Sequence, residues 1–113
     1  MQLSIKNRGG KLTDETHEFA ERRFRFALSR FAPKIERVSA IIADVNGPRG
    51  GRDKSCRVTM KLNRLGTLTV TCDGADLEST FAQAADRAGR AVARVIQRNQ
   101  RIDRRTLRGN WQT

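Results

Sequence analysis

At 113 residues the chain is long enough for one domain with a single modest core, and its 37% apolar content suits a globular protein. Its charge is far from balanced. There are 23 Lys and Arg against 12 Asp and Glu, a net of +11, a self-repulsion tolerated mainly by proteins with a polyanionic partner. No apolar run approaches the roughly 18 residues that span a bilayer, and the opening MQLSIKNRGG lacks the charged-then-apolar order of a secretory leader.

Residues 2–7 alternate apolar and polar, which predicts a strand with Leu3 and Ile5 inward. After the turn at Arg8–Lys11, Thr13 is a helix N-cap, with Asp14 and Glu15 where the helix dipole favours negative charge. The predicted helix runs to about Phe31, because Pro33 forbids much more. Its apolar stripe is Thr16, Ala20, Phe24, Ala27, Leu28 and Phe31. A second stripe, roughly 100° away, holds Phe19, Arg23, Phe26 and Arg30. Aromatics between arginines can stack on bases or pack under a neighbouring helix, and burial is the commoner fate of Phe.

Residues 35–45 are rich in Val, Ile and Ala and read as a strand whose alternation is imperfect. Residues 46–53 form a basic Gly-rich loop. The loop enters a strand rather than a helix, so it is not a phosphate-binding P-loop, and its Gly47-Pro48-Arg49-Gly50 is not placed between helices as a KH clamp requires. It is a long hairpin connection, or an arm offering Arg49, Arg52 and Lys54 to phosphates. Residues 54–62 and 66–72 alternate cleanly and are joined by three residues, a hairpin. Both inward sets occupy even positions, and one such register places Cys56 opposite Cys72. Two inward thiols in a reducing compartment are expected to stay free.

Asp76 is the N-cap of the last helix, 76–100. Leu77, Phe81, Ala84, Ala85, Ala88, Val92, Val95 and Ile96 form its apolar face. Arg87, Arg90, Arg94 and Arg98 fall within roughly an 80° wedge about 120° from that face, and Arg101 would join them if the helix ran on. Like charges at i,i+4, as in Arg90/Arg94/Arg98, cost a few tenths of a kcal/mol per pair, about what a phosphate backbone would relieve. Phosphate contacts fix position more than sequence, so a shaped RNA is the expected partner. Residues 101–113 are basic, weakly patterned and expected to fray, with Trp111 lacking an obvious core to join.

The order β-α-β-β-β-α predicts an α+β fold: a four-stranded mixed sheet, with both helices packed on one face and the other face solvated. No catalytic constellation is visible. His17 is the only histidine and reads as a surface residue, and neither cysteine has zinc-ligand spacing. No cofactor, metal or small-molecule substrate is expected.

MQLSI at the start, LTDETHEF-AERRF in the first helix and D-G-A-D-L followed by F-x-x-A-A-D-R-A-G-R-A-V-A-R in the second resemble the ribosome hibernation-promoting factor family. That family is also called the ribosome-associated inhibitor or sigma-54 modulation family. The resemblance covers about residues 1–100 and implies a β-α-β-β-β-α ribosome-binding domain, a cytoplasmic location and a role as translation inhibitor. It implies binding to 16S rRNA in the mRNA/tRNA channel of the small ribosomal subunit, and storage of inactive 70S or paired 100S particles. The family's basic positions match Arg23, Arg87, Arg90 and Arg94. Arg30, Arg98 and Arg101 extend the same faces on geometry alone. Long members carry a second, dimerising domain, and the chain given stops short of one. The alternatives are a general double-stranded-RNA module, or a transcription regulator acting through a protein partner.

Overall fold

The computed structural model describes residues 1–44 and 54–111, with side chains described up to residue 100. The loop with Arg49 and Arg52, and the side chains of Arg101 and Trp111, lie outside the described residues. The elements are β1 (Gln2–Asn7), α1 (Asp14–Leu28), a 3-10 segment (Ser29–Lys34), β2 (Ile35–Asp44), β3 (Lys54–Leu62), β4 (Gly66–Gly74) and α2 (Leu77–Trp111). The sheet order is β1-β2-β3-β4, with β1 parallel to β2 and the rest an antiparallel meander. This is the predicted architecture.

Local chemistry sets the ends of the elements. The Thr13 hydroxyl accepts from the Thr16 N–H at 3.1 Å, and the Asp76 carboxylate from the Ser79 N–H at 2.8 Å, so both predicted N-caps cap. α1 stops at Leu28, three residues before the predicted end, and the chain tightens into the 3-10 segment around Pro33. α2 differs in the other direction, since its backbone continues past the expected end at 100 to Trp111. The β3–β4 turn needs a left-handed backbone at Arg64 (φ 66°) and at Gly66 (φ 85°). Asn63 ties this turn to the end of the 3-10 segment, its N–H donating to the Lys34 carbonyl at 2.9 Å and its amide to the Pro33 carbonyl at 3.1 Å.

Among the even-sum registers the hairpin adopts the one with Cys56 opposite Cys72 and Met60 opposite Leu68. The imperfect alternation of β2 has a cause. A bulge lies between Ile35 and Arg37, so Ile35 points inward on odd phase, and Val38, Ala40 and Ile42 on even phase.

Phe24 and Leu28 of α1, Phe81, Ala84, Ala85, Ala88 and Val92 of α2, and the inward strand residues make one core, so both helices cover the same side of the sheet. Gly89 sets the spacing of the helices. A Cβ there would stand 2.9 Å from the Ala27 carbonyl oxygen, a contact that only a glycine avoids at this crossing. The other side of the sheet carries Arg37, Arg57, Lys61 and the exposed Thr67, Thr69 and Thr71. Both cysteines are free and buried.

Candidate nucleic-acid interface

Packing α2 by its alanine-rich stripe rotates Arg87, Arg90, Arg94 and Arg98 away from the core, and all four are exposed. Arg87, Arg90 and Arg94 line a shallow groove of about 580 Å³ between α2 and β4, with Val70, Thr71 and Ala91. A second groove, about 440 Å³, follows the helix crossing and brings Arg30 and Phe31 of the first helical segment to Asp86, Gly89 and Arg90 of the second. Arg90 therefore stands on the ridge between two grooves. Arg98 lies one turn beyond Arg94 and lines neither.

These arginines are not equivalent. The Arg87 guanidinium donates to the Thr71 carbonyl of β4 at 2.7 Å, a charge-assisted bond that pins α2 to an edge strand and occupies one of its acceptors. Arg23 reaches across the crossing to the Asp86 carboxylate at 3.5 Å, both groups about half exposed, the kind of pair that contributes little to stability. Arg30 lies over the Phe31 ring at 5.4 Å, which leaves its guanidinium edge for a partner. Arg90 makes one long bond, Nε to the Asp86 carbonyl at 3.4 Å. Arg94 and Arg98 have no hydrogen-bond or ion-pair partner among the described residues.

Two residues of this face escaped sequence reasoning. Asp86 was not singled out. It is the only acid between Glu78 and Asp103, it sits one turn before Arg90, and the structure places it between Arg23 and Arg90. Phe26 was expected to pack, and that expectation is overturned. It lies about 160° round the helix from the buried Phe24, on the side of α1 turned away from the core, and is 83% exposed. Phe19, on the same stripe, is half-buried.

The remaining polar groups converge less. His17 meets Glu21 at 3.7 Å on an exposed helix side. The Cys56 thiol is pushed up to about 12, first by burial and then by the neighbouring Cys72, which suits packing rather than attack. No group of three or more His, Cys, Asp or Glu is placed to hold a metal among the described residues, and no helix among them is long and apolar enough to cross a membrane.

The geometry defines a class: a small α+β protein that covers one face of a mixed sheet with two helices and turns a cationic ridge outward. Residues 3–100 match the family described as sigma 54 modulation protein / S30EA ribosomal protein, and the chain belongs to that family, a ribosome-associated one. Among solved structures, the Thermus thermophilus Protein Y N-terminal domain shares the fold with a TM-score of 0.66 at 19% identity, over 83% of this chain and 98% of that one. A ribosomal subunit interface protein from Coxiella burnetii does so with a TM-score of 0.66 at 13% identity, over 83% and 96%. No curated protein matches the sequence.

Proposed function

We propose that this protein is a non-enzymatic, cytoplasmic translation inhibitor that lies on 16S rRNA in the mRNA/tRNA channel of the small ribosomal subunit and holds 70S ribosomes inactive. The observation that carries the reading is the row Arg90, Arg94 and Arg98, exposed on a helix side with no acid between them, in a member of a ribosome-associated family. A solvated helix face ordinarily intersperses opposite charge. A row of like charge with open grooves beside it fits a polyphosphate strand, whose bound counterions are released on docking. Residues 1–100 form the docking body, which excludes mRNA and tRNA by occupying their space. The backbone of α2 continues to Trp111, and by sequence spacing Arg101 falls next in the row after Arg98. Arg30 and Arg90 face the same groove, and Arg23 flanks it as the Asp86 pair opens toward phosphate.

The test is cosedimentation with purified small subunits and 70S ribosomes at low and high salt. The wild type is expected to pellet with both and to be released as salt rises, while Arg90→Glu/Arg94→Glu stays in the supernatant with an unchanged circular-dichroism spectrum. Arg87 is left intact in this variant because its bond to Thr71 makes it partly structural. Wild-type-like pelleting of the double variant overturns the reading. Equal affinity for any RNA duplex would favour a general double-stranded-RNA module, and salt-insensitive binding to a protein alone would favour a regulator acting through a protein.

A further inference from the structure

The largest exposed hydrophobic side chain among the described residues is Phe26, on the helix that also carries Arg22 and Arg23. One turn before it on α1 are Arg22 and Arg23, and four residues after it, in the 3-10 segment, is Arg30. The residue after it, Ala27, carries the carbonyl that faces Gly89 at the helix crossing, and about 100° further round α1 Phe26 turns its ring to solvent, on the helical segment that also brings Arg30 to the groove shared with Arg90. Neither folding nor helix propensity asks for it. The core is complete without it, and Phe is a poorer helix former than the Lys, Gln or Ala an exposed site would otherwise favour. Its own arginines do not shelter it either. The cation–π contact on this surface is Arg30 over Phe31, and Phe26 stays 83% exposed.

We infer that Phe26 is a stacking platform for an unpaired base of the RNA that the surrounding arginines hold by its phosphates. This rests on the rRNA reading above and deepens it. An uncharged ring without donors or acceptors has nothing to offer a phosphate or a base edge, so the only part of an RNA it complements is the flat face of a base. A duplex hides those faces in its stack, so the contact requires a nucleotide that is bulged, looped out or at the end of a stack. The face has no base-edge readout, so any base is accepted. In this arrangement the arginines supply the salt-dependent part of the affinity and Phe26 a salt-independent part, and the protein is directed to irregular rather than helical RNA.

The proposal is tested by binding to purified small ribosomal subunits across a salt series, comparing wild type with Phe26→Ala, Phe26→Leu, Phe26→Trp and Arg94→Ala. Phe26→Ala is expected to bind roughly 5- to 100-fold more weakly at every salt concentration with the same log–log salt slope. Phe26→Leu should be as weak, and Phe26→Trp as tight as wild type or tighter. Arg94→Ala should make the slope shallower by about 0.7 to 0.9. Unchanged thermal melting of the Phe26 variants confirms that the fold is intact. Wild-type affinity of Phe26→Ala, with Arg94→Ala still weakened, overturns the stacking and leaves the rRNA reading standing. Wild-type affinity of Phe26→Leu also overturns it, since a branched aliphatic replaces a ring only in a contact with apolar protein. No salt-dependent binding of the wild type defeats both readings together.

Discussion

Helices α1 and α2 lie side by side on the same sheet, and each turns arginines outward, but their charges are arranged differently. On α1, Arg25 is met by Glu21 at 3.1 Å and Arg23 by Asp86 at 3.5 Å, so much of the field is cancelled where it arises. On α2, beyond Asp86, Arg90, Arg94 and Arg98 follow one another with no carboxylate between them, and the last two keep their charge without a partner among the described residues. Paired charge keeps a surface hydrated. Unpaired charge in a row builds a potential that a polyanion can use. What α1 adds is apolar: Phe24 turned wholly inward and Phe26 turned outward, two residues apart.

The sharpest way to break that contrast is at the two phenylalanines. Phe24→Ala should lose about 3–5 kcal/mol of stability through its cavity, whereas Phe26→Ala should stay within about 0.5 kcal/mol, read from urea midpoints. Similar losses at both would mean that Phe26 is packed after all. The charge contrast comes next. Arg94→Glu/Arg98→Glu should weaken small-subunit binding on the order of 100-fold, while Arg25→Glu should cost less than about tenfold because Glu21 already neutralises that site. Sedimentation of both variants at one salt concentration decides it.

At the crossing itself, Gly89→Val forces α2 away from the Ala27 carbonyl and should destabilise by about 1–3 kcal/mol, visible as a lower melting temperature. Beneath α2, the folded state holds the Cys56 proton to about 12, above its ordinary 9.0. The unfolded chain releases that proton first. The stability that Cys56 contributes is therefore complete below pH 9.0 and declines as pH rises toward 12. The difference in urea midpoint between wild type and Cys56→Ala should shrink from pH 8 to pH 10.5. The smallest effect is Arg25→Ala, about 0.3–0.5 kcal/mol for an exposed i,i+4 pair, measured in the same titration.

Most of the fold was legible because its signals are local. Alternation put Cys56 and Cys72 on the same inward phase and allowed the register that pairs them, and Thr13 and Asp76 announced two helix starts by the chemistry of their own side chains. Where the sequence pattern blurred, in β2, a bulge shifts the phase by one residue, and the residues of β2 alone do not reveal which partner strand causes it. The end of α1 came early because Pro33 acts back through a 3-10 segment as well as on its own residue.

The candidate interface was legible in outline only. By itself the sequence determined that α2 would carry an arginine row opposite an apolar face, since helical periodicity places residues three and four apart on one side whatever the helix packs against. Only the tertiary structure decided how each arginine is engaged: that Arg87 is bonded to β4, that Arg23 is met by Asp86, and that Arg90 stands between two grooves. It also decided the fate of Phe26. A helix pattern names the faces of α1 but not what covers each of them; here the side about 160° from Phe24 is left open, and Phe26 on it is 83% exposed.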